Sequence, residues 1–331
     1  MPLVPPRISR RRALRALVAV LAVLCALVWW LRPFGRPELT GEITFSTGVQ
    51  QGVYHRYGLL LEQALAKDVP GVRVRLNTSE GSQQNLQRVA AGEADFTVAT
   101  ADAVAKYQVD RKPGADRLRG LARLYDDYVQ LVVPAGSPVQ STRDLRGKRV
   151  AVGQEGSGVR LISERMFRAA GLDPARDVTP VAIGIDTVPA ELEAGRIDAF
   201  FWSGGLPTTA VRELSERFEI RLVQLGDLVE ALQASGSPAR YYRAAVMPQD
   251  AYDHVRSNSA VSTVAVPNLL VTRDDAGAEL TEQFTRTVID SRDPIGKQVH
   301  AAQLVDLRTA IYTDPLQLHE GAARYYRSVK P

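Results

Sequence analysis

The sequence predicts an α/β fold of two similar lobes that face each other across a cleft, preceded by an N-terminal membrane helix. One observation is a unit of strand, glycine-rich loop and helix that occurs twice along the chain. A second is an Ala-Gly-x-x-Asp sequence that stands in the same place in both copies, at residues 91–95 and 194–198. Strands and helices that alternate at this length favour parallel sheets with right-handed crossovers. Two such units therefore predict two similar α/β lobes.

The first copy of the unit predicts three strands and two helices. A short β-branched and aromatic run at residues 43–48 predicts a strand that ends in glycine. A loop at 52–58, with glycines at both ends, leads into an apolar-periodic helix. Residues 72–76 alternate as a second strand, a second helix ends at Gly92, and residues 95–100 resume as a strand.

The second copy repeats this order at a similar spacing. The aspartate of Ala-Gly-x-x-Asp lies 47 residues after Gly48 in the first copy and 45 residues after Gly153 in the second. We assign both aspartates, Asp95 and Asp198, to structure, where they would hold the turn between helix and strand. The predicted strands of this copy are 148–153, 178–183 and 197–202, and its predicted helices are 159–170 and 188–192.

The remaining segments predict that the chain crosses twice between the lobes. We expect residues 103–120 to be polar and rich in turns, and residues 128–133 to form a strand. Segments 134–138 and 235–238 contain Pro and Gly, which favours the start of a crossing in each region. The predicted division is a basic arm at 1–15, a membrane helix at 16–31, a linker at 32–40, one lobe at 41–133 plus 246–331, and a second lobe at 134–245.

Candidate ligand-binding residues cluster where the predicted strands of both copies end. In open α/β sheets, ligands bind beyond the carboxyl ends of the strands, at the loops that lead into helices. Backbone N–H groups at helix N-termini there can hold a carboxylate through aligned donors and the helix dipole. The candidate residues are Ser46, Thr47, Gly48, Tyr54, Gly81, Ser82, Asn85, Thr100, Gln154, Ser157, Gly158, Trp202 and Gly204.

Each group of candidates is expected to contact a different part of the ligand, and several of these residues could instead have a purely structural role. Tyr54 and Trp202 could close over an apolar part of the ligand, and Asn85 could contribute a bidentate amide. Arg56 or Arg160 could pair with a second carboxylate. Alternatively, the serines at helix starts are caps, Trp202 belongs to a core, and Arg160 is a solvated helix residue.

Charge and cysteine content exclude several functional classes. The chain of 331 residues has 41 basic and 37 acidic residues, but residues 1–37 hold seven Arg and no acidic residue. The remainder has 34 basic and 37 acidic residues, a net charge of −3, which argues against nucleic-acid binding. The only cysteine, Cys25, lies in the apolar N-terminal run, so we expect no disulfide framework and no cysteine nucleophile in the body.

The sequence lacks the motifs of common enzymes, so we expect neither catalysis nor a cofactor. It contains no Gly-x-Ser-x-Gly, no Gly-x-Gly-x-x-Gly at the second glycine loop, and no Gly-Lys-Ser/Thr. The four His are scattered and never form His-Glu-x-x-His, so we expect no metal site. Asp126 and Asp127 form an acidic pair that we interpret as part of a solvated loop.

The N-terminus has the pattern of a membrane-targeting segment. An uncharged run at residues 16–31 follows the Arg cluster and is at the short end of a bilayer span. Trp29 and Trp30 would lie at the outer interface, and the Arg cluster would keep the N-terminus cytoplasmic. We expect an uncleaved signal anchor in the cell membrane with the body outside it; export with cleavage is the alternative. Residues 9–14 also resemble a twin-arginine export signal.

Five short motifs occur in order along the predicted exported body. They are Ser46-Thr47-Gly48 with Tyr54, Gly81-Ser82 with Asn85-Leu86, Ala91-Gly92-Glu93-Ala94-Asp95, Gly156-Ser157-Gly158, and the C-terminal segment from Pro315 to Tyr326. Together they resemble the TAXI family, which comprises extracytoplasmic solute receptors of TRAP transporters. The resemblance covers residues 40–330, nearly the whole predicted exported body. Residues 145–153 resemble a segment shared more widely among type II periplasmic binding proteins.

The resemblance implies a type II periplasmic-binding-protein fold, in which two hinged lobes close on a ligand like a Venus flytrap. It also implies that the protein captures a small anionic or zwitterionic solute, such as glutamate or a dicarboxylate, and delivers it to a membrane permease. His55 and Arg56 depart from the family pattern, in which aromatic or small residues are usual. The alternatives are a sensor or ABC-type receptor with the same fold, or an exported hydrolase that uses Ser157 with a nearby base.

Overall fold

The computed structural model describes residues 17–24, 26–27, 39–255 and 260–329. In the predicted membrane segment, residues 17–24 and 26–27 are helical. The rest of that segment and the basic arm lie outside the described residues. No helix within the described ranges is long and apolar enough to cross a bilayer. The signal anchor therefore stays a prediction.

Beyond residue 39, the described residues form an α/β structure with ten strands and eleven α-helices. The strands are β1 (Gly41–Ser46), β2 (Val72–Asn77), β3 (Phe96–Thr100), β4 (Leu118–Pro134), β5 (Arg149–Ala151), β6 (Thr179–Val181), β7 (Ala199–Gly204), β8 (Ile220–Val223), β9 (Arg243–Met247) and β10 (Val261–Arg273). The helices are α1 (Val53–Asp68), α2 (Ser82–Ala91), α3 (Ala101–Val109), α4 (Gly158–Ala169), α5 (Val188–Glu193), α6 (Thr209–Arg217), α7 (Val229–Ala234), α8 (Ala278–Asp290), α9 (Arg292–Gly296), α10 (Leu307–Ala310) and α11 (Glu320–Val329).

The two copies of the repeated unit have the same strand arrangement. In the first copy, β1 lies between β2 and β3 and runs parallel to both. In the second copy, β5 lies between β6 and β7 and again runs parallel to both. Helices α1 and α2 connect the strands of the first copy, and α4 and α5 connect those of the second. This confirms the two α/β units that the repeated pattern predicts.

One aspartate in each copy links the start of the third strand to the first strand. Asp95 accepts a hydrogen bond from the N–H of Thr44 at 2.7 Å and donates its own N–H to the Thr44 carbonyl at 2.9 Å. Asp198 forms the same two bonds with Arg149, both at 2.8 Å, and also pairs with the Arg149 guanidinium. The structural role predicted for both aspartates is confirmed.

Two long antiparallel strands, β4 and β10, join the two copies into one sheet. The strand order is β2-β1-β3-β10-β4-β7-β5-β6, with β8 beside β4 and β9 beside β10. Strand β4 pairs with β10 up to Tyr128 and with β7 from Tyr128 onward. The chain therefore passes between the copies inside β4, ahead of the crossing predicted at residues 134–138. A single strand can do this because it changes partners along its length without a turn.

The segment between β3 and β4 differs from its prediction. Residues 103–120 include most of α3 and the start of β4, where the sequence predicted a polar, turn-rich segment. Helix α3 buries Ala101 to Ala105 against the sheet. Its buried face consists mainly of alanines, and such small side chains give only a weak apolar periodicity in the sequence.

Apolar side chains pack on both faces of the sheet and hold the strand ends in place. Phe200 and Phe201, which are neighbours on β7, belong to buried clusters on opposite faces. Phe284 of α8 packs on the first copy, where its ring stacks on Phe96 at 4.2 Å between ring centroids and on Phe45 at 6.3 Å. These cores make the strands a rigid support for the loops that follow them.

Candidate functional site

The carboxyl ends of the strands in both copies open onto one cavity. Its empty volume is about 670 Å³, open solvent included. This is the edge of the sheet at which the sequence predicts a ligand cleft. The lining residues are Gly48, Val49, Gly52, Val53, Tyr54, Glu80, Gly81, Ser82, Thr100, Asp127, Gly153, Gln154, Ser157, Gly158, Val159, Ile162, Ile183, Gly184, Ile185, Val188, Phe201, Trp202, Ser203 and Gly204.

Most residues predicted to bind a ligand line this cavity. Whether they contact a solute stays a prediction. The other three, Ser46, Thr47 and Asn85, are fully buried and lie outside the lining. The hydroxyl of Thr47 contacts the Asn77 carbonyl at 3.2 Å, so it supports the loop after β1. The residues that do line the cavity are Gly48, Tyr54, Gly81, Ser82, Thr100, Gln154, Ser157, Gly158, Trp202 and Gly204.

The amide of Asn85 is used entirely inside the protein, which corrects its predicted role. Its Oδ1 accepts hydrogen bonds from the hydroxyls of Ser46 at 2.7 Å and Ser79 at 2.6 Å. Its Nδ2 donates to the carbonyls of Thr47 at 2.6 Å and Val98 at 3.0 Å. Because its donors and acceptor positions are all occupied, Asn85 ties the loops after β1 and β2 to β3 and has no bond left for a ligand.

The N-terminal ends of α2 and α4 meet at the cavity. The side chain of Gln83 on α2 donates to the carbonyl of Ser157 at 2.6 Å. Gly81 has a φ of +126°, a backbone conformation that favours glycine. The position that a Cβ would take there lies 3.4 Å from the backbone nitrogen of Gly158, so the two loops are within van der Waals reach of each other.

The hydroxyl of Ser157 caps the N-terminus of α4. It accepts a hydrogen bond from the N–H of Arg160 at 3.0 Å and donates to the Gln154 carbonyl at 2.7 Å. Within the described part of the chain, both of its hydrogen-bond partners are backbone groups, and no side-chain base is bonded to it. This arrangement favours the capping alternative for Ser157.

Trp202 faces the cavity and also packs against the interior. Its indole N–H donates to the hydroxyl of Thr208 at 3.0 Å. The ring packs against the apolar clusters on both faces of the sheet. Trp202 therefore forms part of the cavity wall and packs against the core behind it, while a contact between its ring and a ligand stays a prediction.

A chain of hydrogen bonds runs along one wall of the cavity. The N–H of Thr100 donates to the hydroxyl of Ser82 at 3.2 Å, and this hydroxyl lies 3.2 Å from the phenol oxygen of Tyr54. Tyr54 donates to the side-chain oxygen of Asn268 on β10. The NH₂ group of Asn268 donates to Oδ1 of Asp127 at 2.7 Å. The network thus connects the first copy of the repeat to the two central strands.

Asp127 is a candidate site residue that the sequence interpretation missed. The acidic pair lies in the middle of β4 and not in a solvated loop. Asp127 is 3% exposed and lines the cavity. Its neighbour Asp126 instead pairs with Arg123 at 2.8 Å and with Arg243. The alternation of side chains along a strand separates the two carboxylates.

The environment of Asp127 raises its pKa to about 7, so both protonation states are populated near neutral pH. Burial is the main cause; the hydrogen bonds from Asn268 and Ser203 lower the pKa, and the nearby charge of Asp102 raises it. Burial also raises the pKa of Tyr54, and the negative charge of Asp127 adds to that effect. Tyr54 is therefore a neutral hydrogen-bond donor near neutral pH.

Among the described residues that line the cavity there is no Arg, Lys or His. Arg160 pairs with Glu164 on its own helix at 2.9 Å, and Arg56 bonds the side chain of Gln298. Neither lines the cavity, so the predicted pairing of one of them with a second carboxylate has no support here. Within the described ranges, no group of three His, Cys, Asp or Glu residues could hold a metal ion.

The chain has the fold of several solved proteins and matches one protein family. A putative L-cystine ABC transporter protein from Listeria monocytogenes has 17% identity, with 81% of this chain and 99% of that chain covered and a TM-score of 0.52. An ancestral arginine-binding protein, solved with arginine bound, has 15% identity, with 78% and 98% covered and a TM-score of 0.51. At these identities the likeness concerns the fold. A family model matches residues 45–329, and the chain belongs to the NMT1-like family.

Proposed function

We propose that the protein is an extracytoplasmic receptor that binds a small solute in this cavity and delivers it to a membrane permease. The observation that carries the proposal is the convergence of strand ends from both copies of the repeat on one cavity. A mainly apolar lining with a few polar groups is typical of a small-molecule site. The two solved structures of similar fold, named for L-cystine transport and arginine binding, support the same function.

Within this function we propose the TAXI class of TRAP transporter receptors. The five motifs that resemble this family carry that part of the proposal. An ABC-type receptor is the second candidate, favoured by the name of the Listeria protein. Uptake of the solute by membrane vesicles decides between them: dependence on an ion gradient without ATP supports the TRAP class, and dependence on ATP supports the ABC class.

A hydrolase that uses Ser157 has weaker support than a receptor. Nucleophilic catalysis needs a base within hydrogen-bond reach of the hydroxyl. The described partners of this hydroxyl are the backbone groups of Gln154 and Arg160. With both of these bonds in place, the hydroxyl acts as a helix cap, which needs no catalytic base.

We also propose that residues 16–31 anchor the protein, with the body outside the cell membrane. The Arg-rich segment before this apolar run and the two tryptophans near its end support this orientation. An intact N-terminal mass in the membrane fraction would support retention, whereas loss of the first residues would support export with cleavage.

Thermal unfolding of the full-length protein with a library of small solutes tests the receptor proposal. A solute that binds only the folded state stabilises it by about 2.7 kcal/mol at 100 times its Kd. We expect at least one amino acid or organic acid to raise the midpoint in a concentration-dependent manner. If no small solute has this effect, the receptor proposal is contradicted.

Two serine-to-alanine variants, one in the cavity wall and one outside it, test the position of the site by the same measurement. Ser82→Ala removes a hydroxyl that bonds the wall residues Thr100 and Tyr54, so it should reduce the shift caused by the solute. Ser328→Ala makes the same change at an exposed position of α11 that does not line the cavity, and it should leave the shift unchanged. Equal shifts in both variants would remove Ser82 from the site.

A further inference from the structure

The cavity contains a buried carboxylate that has no cationic partner. Two aspartates are buried in the described part of the chain, Asp102 and Asp127. Asp102 pairs with Arg165 at 2.8 Å. Asp127 has only uncharged partners, Asn268 at 2.7 Å and Ser203 at 3.4 Å. A buried carboxylate is costly unless it is paired, so this one is suited to a charge that arrives with a ligand.

Asp127, which lines the cavity, has hydrogen-bonding capacity left. A carboxylate offers about four acceptor positions, and the structure uses one on each oxygen. The bond from Ser203 is long, at 3.4 Å, and is therefore weak. The remaining positions can accept the hydrogens of an ammonium group.

A second polar group in the cavity also lacks a partner. The hydroxyl of Thr100 is buried, lines the cavity, and has no hydrogen bond in the structure. Residue Thr100 is 2% exposed. Buried hydroxyl groups are nearly always hydrogen-bonded, so this one indicates a position for a polar ligand atom. It lies near the N-terminus of α4, since a Cβ on Gly158 would be 3.7 Å from it.

The remaining walls indicate the body of the ligand. Several aliphatic and aromatic side chains from both copies line the cavity. Such a surface fits an apolar chain and offers no cation for a second anionic group. A dicarboxylate would place its second charge in a cavity lined by two acidic residues, Asp127 and Glu80. These apolar side chains include Val53, Ile162, Ile183, Ile185, Val188 and Phe201.

We propose that the solute is an apolar α-amino acid or a closely similar amine, and that Asp127 binds its ammonium group. The ligand carboxylate is received by the N–H groups at the start of α4 and by the hydroxyl of Thr100. Asn268 and Tyr54 hold the Asp127 carboxylate in position through the hydrogen-bond chain. The proposal rests on the receptor function and specifies the class of solute: an apolar amino acid, in place of the glutamate or dicarboxylate that the family resemblance implied.

Calorimetric titration of the full-length protein with matched ligands tests the proposal. The probes are L-valine, L-leucine, L-methionine and L-phenylalanine, each with the 2-hydroxy acid of the same carbon skeleton and chirality, together with glutarate. The two molecules of each pair differ only in that one has an ammonium group where the other has a hydroxyl group. We expect at least one amino acid to bind and its hydroxy acid to bind at least ten times more weakly, because the hydroxyl brings no charge to Asp127.

A pair of adjacent variants adds a second measurement. Asp127→Asn should lower the affinity for the amino acid at least ten-fold and reduce the difference between amino acid and hydroxy acid. Asp126→Asn, at the next position of β4, changes a carboxylate that pairs with Arg123 and Arg243 outside the cavity and should retain the discrimination. The comparison in the unmodified protein does not depend on the folding of either variant.

The outcomes separate this inference from the receptor function. If hydroxy acids or glutarate bind as tightly as the amino acids, the ammonium inference is overturned and the receptor function stands. If Asp127→Asn folds and retains full discrimination, Asp127 is not the recognition group. If none of these probes binds but another solute raises the unfolding midpoint, the proposed solute class is overturned. If no solute of any class binds, the receptor function fails as well.

Discussion

At the scale of the residue, two adjacent aspartates have opposite environments. Asp126 forms ion pairs with arginines, while Asp127 lies in the cavity wall. In β4, Tyr125, Asp127 and Val129 share the buried positions and alternate with more exposed neighbours. The period-two pattern is present in the sequence, but two charged residues in succession are more typical of a loop. The pairing of β4 with its neighbours is what buries Asp127.

The pH dependence of ligand binding provides a prediction for this residue. With a pKa of about 7 in the free protein, roughly a tenth of Asp127 is ionised at pH 6 and roughly nine tenths at pH 8. An ammonium ligand binds the ionised form, so its affinity should rise up to about ten-fold between these pH values. Calorimetry at both pH values measures this change, and Asp127→Asn should abolish it.

Other groups near Asp127 should not reproduce that profile. The pKa values of Tyr54 and Tyr125 are raised by burial, so neither phenol ionises between pH 6 and pH 8. An affinity that is flat or falls with rising pH would contradict an ionised Asp127 in the complex. The titratable groups that face Asp127 or line the same cavity are Tyr54 on α1, Glu80 before α2, Asp102 on α3 and Tyr125 on β4, while β7 and β10 present Ser203 and Asn268.

At the scale of the element, local patterns predicted the units that the chain repeats. Strand and helix periodicity, with glycines between them, located β1 to β3 and β5 to β7 and the helices that connect them. Helix α3 was missed because its buried face is made mostly of alanine. The full length of β4 was missed because half of its pairing is with β10, which lies more than a hundred residues away in sequence.

The glycine loop before α4 provides a prediction about the stability of the protein. Gly153 has a φ of +81°, and a Cβ on it would lie 2.7 Å from the hydroxyl oxygen of Ser157. Gly171, which follows α4, has a φ of +75° but open space around it. Gly171→Ala should cost about 1 kcal/mol of stability from the left-handed backbone alone. Gly153→Ala should cost about 1–3 kcal/mol more, because its methyl group is also crowded.

Urea unfolding of the two alanine variants measures the difference. Both substitutions occur at left-handed glycines on either side of the same helix, so their comparison isolates the effect of crowding. Equal free energies of unfolding would indicate that the loop before α4 can relax around a side chain, and that its close packing does not depend on glycine.

At the scale of the whole molecule, the two copies are linked by a buried ion pair as well as by the sheet. Asp102, at the start of α3 after the first copy, accepts hydrogen bonds from Arg165 on α4 at 2.8 Å and from the hydroxyl of Tyr242 at 2.6 Å. Arg165 has a side-chain exposure of 11% and Asp102 of 0%. This link joins elements from both sides of the cavity.

Removing one partner of this link should be costly. Arg165→Met leaves the Asp102 carboxylate buried without a counter-ion, and the expected loss is about 3–5 kcal/mol of unfolding free energy. Asp102→Asn combined with Arg165→Met should recover a large part of that loss. Arg168→Met is the control: Arg168 lies on the same helix, is 63% exposed and pairs only at 3.7 Å, so about 0.5 kcal/mol or less is expected.

Chemical denaturation of the single and double variants decides the outcome. If Arg165→Met and Arg168→Met have equal effects, the ion pair does not stabilise the arrangement of the two copies. If the double variant is less stable than Arg165→Met, the carboxylate is not the source of the loss.

The sequence by itself determined the two repeated units, their glycine loops and the sheet edge where ten of thirteen candidate residues line one cavity. These features depend on periodicity and on turn residues, which act over a few positions of the chain. Only the tertiary structure decided that Asn85 is fully bonded inside the protein, that Arg56 and Arg160 lie outside the lining, and that Asp127 lies within it. Those outcomes depend on which distant strands pair, because burial and hydrogen-bond partners are set by neighbours that are remote in sequence.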